Sequence, residues 1–217
     1  MKVLIPISIF LLFILSSCIE IIDDISINDD GSGTFKYSIN LSQSKVKVNS
    51  YLALDSINGE KVMKLPDVKS KVLIFKNNLK LQPGISNVVI SENYEDYIIK
   101  IQCDFDNLSN LQKGIQKSIS LTLGGEETNY EWISFNNNVF FRSVPDLTNQ
   151  ISEKLKLDYS KLNEGSYTSI TRFKKLVGKY ENDSSIISKN GNSVMLKTTP
   201  KNIIENIHIL DNKITLK

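Results

Sequence analysis

The side chains best able to do chemistry are few and scattered. A single histidine, His208, sits in Asn206-Ile207-His208-Ile209-Leu210. Catalysis through it would need a nucleophile and an orienting acid. The sequence designates neither, so His208 reads as a packing or surface residue. There is no Gly-x-Ser-x-Gly elbow, and Gly31-Ser32-Gly33 lacks the spacing and the lysine of a phosphate-binding loop. Asp23-Asp24 and Glu126-Glu127 are adjacent acid pairs. Neighbours on a strand point to opposite faces, whereas glycoside chemistry needs two facing carboxylates. Asp29-Asp30-Gly31 invites a calcium reading. With Gly31 at the sixth position of an EF-hand loop, the first and twelfth positions are Ser26 and Tyr37, where Asp and Glu are required. These acids read as a solvated turn. Two cysteines and one histidine leave few ways to build a zinc site. We therefore expect no catalytic residue, no metal and no cofactor, and a chain that is not an enzyme.

The two cysteines differ sharply. Cys103 lies in the strictly alternating Ile99-Lys100-Ile101-Gln102-Cys103-Asp104-Phe105 and shares a face with Ile99, Ile101 and Phe105. It reads as a buried thiol used as a small hydrophobe. Cys18 ends Leu15-Ser16-Ser17-Cys18, preceded by the charged start Met1-Lys2 and an apolar run over 3–15. As a helix that run spans about 20 Å, short of a bilayer core of roughly 30 Å. It has the layout of a signal peptide instead. The four residues at its end resemble the bacterial lipobox. That resemblance implies cleavage between Ser17 and Cys18, and a diacylglycerol on the Cys18 thiol with optional acylation of the new amine. Residues 1–17 would then be a lipoprotein signal peptide and 18–217 the mature chain, held on a membrane by its acyl chains.

Composition narrows the classes further. The chain has 217 residues, 41% of them apolar, enough to bury a core. Its 26 Lys+Arg against 24 Asp+Glu give a formal charge of +2. No clustered basic surface is evident, so nucleic acid is not an expected partner. Only Arg142 and Arg172 are arginines.

The elements that must position these residues follow from periodicity. Residues 19–27 and 35–41 alternate around Asn28-Asp29-Asp30-Gly31-Ser32-Gly33 and predict a hairpin. Over about 43–82 the two-residue period gives way to a helical excursion, in which Val68, Val72, Phe75 and Leu79 follow helical spacing after Pro66. A second strand pair is expected at 85–90 and 97–105. A helix follows from an N-cap at Asp106 through Leu108, Leu111, Ile115 and Ile119. Residues 130–135 and 139–142 predict a third hairpin, rich in aromatics: Tyr130, Trp132, Phe135, Phe140 and Phe141. One aromatic face is expected in the core, with Trp132 out of phase on the other. A helix over 146–157 and strands at 167–173, 186–188, 194–198 and 213–217 complete the chain. Asn190-Gly191 is its strongest two-residue turn. The sum is one α+β domain over 18–217, a largely antiparallel sheet with two to four helices packed on one face. The helix stripes are expected to cover that face completely.

The order of pieces resembles a group of bacterial envelope lipoproteins, distantly of the LppM type. It is carried by the lipobox, the Asp-Asp-Gly-Ser-Gly turn with its alternating strand, Phe173-Lys174-Lys175-Leu176-Val177, and Asn190-Gly191-Asn192-Ser193-Val194. Related domains often have Phe-Pro-Gly where this chain has Phe173-Lys174-Lys175. The resemblance implies an envelope location and an α+β fold and brings no catalytic residues. It adds a suggestion of lipid or glycolipid binding. The expected function is a non-enzymatic, lipid-anchored binding or scaffold module with a lipid or envelope protein as partner. The alternatives are an apolar-ligand binder, a surface adhesin or an envelope hydrolase. The residue after Cys18 is Ile19 rather than the Asp of inner-membrane retention, so the periplasmic side of the outer membrane is expected. Asp55-Ser56-Ile57 resembles an O-glycosylation site of some envelope proteins.

Overall fold

The alternation of 19–27 and its partner does produce paired strands. A computed structural model describes residues 19–57, 59–125, 130–143 and 165–217. β1 (Ile19–Ile27) pairs antiparallel with β2 (Gly33–Asn40) around a tight turn. At its centre Gly31 takes φ +84°, a conformation glycine adopts without steric cost. The Asp30 carboxylate accepts from the Ser32 amide and hydroxyl, and these bonds hold its pKa below the ordinary value.

The helical excursion is α1 (Lys45–Ala53), a minimal ribbon of β3 (Ser56–Ile57) and β4 (Glu60–Lys61), and α2 (Leu65–Lys80). Pro66 sits in the first turn of α2, where its missing N–H costs nothing. β5 (Ile85–Asn93) and β6 (Ile98–Phe105) form the second strand pair, and α3 (Leu108–Leu123) follows. Its N-cap is Asn107 rather than Asp106. Asn107 accepts from the Asn110 amide with its side chain, while Asp106 bonds the Asn110 side chain. Gly124, at φ +73°, closes the helix.

The aromatic hairpin is β7 (Ile133–Asn136) and β8 (Val139–Arg142). Asn137 and Asn138 both have positive φ, as a tight two-residue turn demands. β9 (Gly165–Phe173), β10 (Val177–Tyr180), β11 (Ser185–Ile187), β12 (Ser193–Thr198), α4 (Pro200–Glu205) and β13 (Asn212–Leu216) complete the described chain. The expected helix at 146–157 lies outside the described residues. β10 has no clear alternation and was not expected; it pairs with β13 through an irregular register.

These strands make a seven-stranded sheet, order β11-β12-β9-β1-β2-β6-β5, and a four-stranded sheet, order β10-β13-β8-β7. All pairings are antiparallel except β1 with β9. The fold class is α+β, as expected. Register sets one inward face. Ile25, Phe35 and Cys103 lie in one cross-strand row, and Asp23, Tyr37 and Ile101 lie in the next. One core joins this face to α2, α3 and the smaller sheet. Leu79, Leu111, Ile133, Phe140 and Ile214 are essentially inaccessible. Phe173 links the two sheets, edge-on to Phe140 at 5.9 Å and tilted to Phe135 at 6.2 Å.

Candidate functional site

The helices do not seal the sheet. Between them and its inward face lies a cavity of about 610 Å³, within the roughly 300–1,000 Å³ usual for ligand sites. The sheet contributes Phe35, Tyr37, Ile39, Ile99 and Ile101. The whole apolar stripe of α2, Val68, Val72, Phe75 and Leu79, faces it. The stripe of α3 divides. Leu108 and Leu111 are buried in the core, whereas Ile115 and Ile119 line the cavity.

The expectation of complete coverage is therefore corrected, and the cause is visible along the helices. At one end Gly114 has no side chain, and a Cβ there would stand 3.1 Å from Ile85. The helix approaches the sheet closely at that point. Towards the other end the lining becomes exposed: Met63 and Ile119 are 44% accessible and Leu123 63%, against none for Leu79. The cavity thus opens between the start of α2 and the end of α3. Lys71 stands there and donates to the Thr122 carbonyl. Ile39 and Ile99 lie in the row of Ile21, two residues from the first residue of β1. The mouth is consequently at the edge of the sheet where β1 begins.

A charged pair lines the cavity between β1 and β8. Arg142, at the end of β8, reaches across to the large sheet, where its Nη1 donates to Asp23 Oδ2 at 3.0 Å and Ser169 Oγ at 2.6 Å. The two charged side chains are only 4% and 7% exposed, and both line the cavity with Trp132 and Tyr167. The guanidinium lies 5.9 Å from the Trp132 ring centroid, a cation–π distance. Asp23 Oδ1 and Arg142 Nε and Nη2 are buried without a hydrogen-bond partner. Burial alone would lower the arginine pKa, but Asp23 and the neighbouring Tyr167 outweigh it, so the guanidinium is held charged. Burial, with Asp23 adding to it, pushes the Tyr37 phenol up to about 12 and raises Tyr167 well above its ordinary value. Both phenols stay neutral donors at physiological pH.

Trp132 is held here by the backbone. It precedes β7, so strand phase does not govern its direction. Its amide and that of Ile133 both donate to the buried Gln112 side chain on α3. The out-of-phase expectation fails for that reason, and Trp132 turns to the cavity. Phe140 is buried, Phe135 packs on Phe173, and Phe141 is 46% exposed.

The other sequence candidates are dispersed. Asp23 and Asp24 do point apart: Asp24 forms a bidentate pair with Arg172 on the opposite face. Cys103 is free and buried, and burial with nearby Asp104 pushes its thiol up to about 12. His208 is exposed, with Nδ1 2.9 Å from Asp211. Asp55 is exposed beside Lys64. Among the described residues no group of three His, Cys, Asp or Glu is placed to hold a metal ion, and no helix is long and apolar enough to cross a membrane. Ser17, Cys18, Glu126 and Glu127 lie outside the described residues. The charged pair was missed by sequence reasoning. Its one available signal was the scarcity of arginine, since Arg142 and Arg172 take the two members of Asp23-Asp24.

No known protein family matches the sequence, and a search of curated proteins also finds no match. Among solved structures, the NMR structure of the folded domain of LppM from Mycobacterium tuberculosis is similar to 93% of this chain, over 91% of its own length. The two are 12% identical with a TM-score of 0.43, a distant likeness of fold that carries no residue of the site.

Proposed function

We propose that the protein is a non-enzymatic, lipid-anchored envelope protein that binds an apolar chain in the cavity between its sheet and helices. The cavity itself carries this reading. A sheet face and two helix stripes that could have closed on one another instead leave an apolar space open to the exterior. A deep polar cleft with converging acids would have favoured a hydrolase, and a closed face a scaffold. The anchor rests on Leu15-Ser16-Ser17-Cys18. With acyl chains on Cys18, the cavity mouth stands at the membrane-facing edge of the sheet, where β1 begins directly after the modified residue. The periplasmic side of the outer membrane is the proposed address.

Filling the cavity tests the binding reading. Val72→Phe and Ile115→Phe place larger apolar groups in the space. Each is expected to keep or raise the melting temperature and to reduce uptake of an apolar dye such as N-phenylnaphthylamine more than about tenfold, a change of about 1.4 kcal/mol. Undiminished uptake by both variants would contradict the proposal.

A further inference from the structure

Given an apolar-chain cavity and an anchor on Cys18, two readings on which this one rests, we propose that the rim of the mouth seats in the phospholipid bilayer that carries the anchor. An apolar chain then passes from the bilayer into the cavity without crossing water. Three segments bring apolar side chains to one opening. Met63 precedes α2, and Ile119 and Leu123 belong to the last turns of α3; all three line the cavity and are exposed. Leu54, 47% exposed, follows α1. It is drawn alongside by Lys64, the residue after Met63, whose Nζ donates to the Leu52 carbonyl at 3.0 Å and the Leu54 carbonyl at 2.6 Å. The end of α1 and the start of α2 are thereby tied together at the opening.

Apolar residues scattered singly on a surface need no explanation, whereas a set grouped around an apolar opening marks a contact site. Charge does not oppose contact with lipid there. Lys64 pairs with Asp55 at 3.5 Å, and Lys71 is engaged with the Thr122 carbonyl at the end of α3. The position of the anchor selects the bilayer as the occupant. β1 starts at Ile19, the residue after Cys18. Ile21, in the row of Ile39 and Ile99, lies two residues further on, about 7 Å along a strand. An acyl group on Cys18 therefore holds the mouth against the lipid surface, with no linker to let it stand off.

The processed, acylated chain is reconstituted on vesicles of phosphatidylethanolamine and phosphatidylglycerol, with a fraction of the lipid bearing a nitroxide near the head of one acyl chain. Met63→Cys, Leu123→Cys and, as a control, Leu176→Cys each carry a fluorophore. Leu176 is exposed shortly after Phe173, which pairs with the last residue of β1, so it belongs to the opposite edge of the sheet. Cys103 is buried and stays unlabelled. The nitroxide is expected to quench the labels on Met63→Cys and Leu123→Cys strongly and the label on Leu176→Cys weakly. The double variant Met63→Asp with Leu123→Asp is expected to take up N-phenylnaphthylamine from water as the unaltered chain does. It should acquire an apolar probe from vesicles at least about tenfold more slowly. Equal quenching at all three positions, or unchanged transfer from vesicles, overturns the proposal. The readings beneath it fail separately. Absence of dye uptake from water by the unaltered chain overturns the cavity and the transfer step with it. Failure of that chain to float with vesicles overturns the anchor, and the seated rim with it.

Discussion

Asp23 and Asp24 are adjacent residues with opposite roles. Asp24 shares a half-exposed, bidentate pair with Arg172, and solvent screens much of what that contributes. Asp23 is buried against Arg142, and there each charge depends on the other. Arg142→Met alone is expected to cost about 3–5 kcal/mol, because it strands a buried carboxylate. The double exchange of Asp23→Leu with Arg142→Met is expected to be neutral or to stabilise the fold by about 1–4 kcal/mol. Urea denaturation of the two variants checks the contrast, and equal losses would refute it. Cys103 offers a second test at this scale. Its raised pKa keeps the thiol protonated through neutral and mildly alkaline pH, and its burial blocks access. A maleimide at neutral pH should label it only as fast as the protein unfolds. Rapid labelling of the native chain would show the strand row around it to be open.

Elements were legible where the signal is local. The β1–β2 hairpin announces itself by alternation and by a turn crowded with Asn, Asp and Gly. The Pro66 helix and the stripe of α3 follow from spacing alone. The relation of a stripe to what it faces is not local. Val72 and Leu111 occupy equivalent apolar positions on their helices, yet one lines a cavity and the other is sealed in the core. Leu111→Ala should therefore destabilise by about 2–5 kcal/mol. Val72→Ala removes methyl groups that border an existing space, so it should cost below about 1 kcal/mol while weakening uptake of the dye. Thermal melts and titrations on both variants decide this, and a large stability loss for Val72→Ala would mean that the helices close in solution. Trp132 shows the same limit. Its direction is set by Gln112 on another element, twenty residues away, and no strand phase could supply it.

At the scale of the molecule, the site depends on contacts that no window of sequence contains. Arg142 and Asp23 are separated by 119 positions. The proposed acylation of Cys18, by contrast, rests on a short motif. Cys18→Ser should leave an uncleaved or mis-sorted precursor, seen as a slower-migrating band in membrane fractionation. A processed, membrane-bound variant would refute the lipobox reading.

The parallel pairing of β1 with β9 has a consequence for how the molecule is made. β1 is the central strand, yet one of its two neighbours starts at Gly165, so half of its hydrogen-bonding edge waits for the last quarter of the chain. Loops that long close slowly, and topology of this kind governs folding rate. The early hairpin of β1 and β2 can form first, but it presents an open edge and an unfinished cavity wall, since Ser169 arrives on β9 as well. During synthesis the amino-terminal portion therefore stays incompletely paired until β9 has emerged. In refolding from denaturant, backbone signal should recover before the Trp132 environment does.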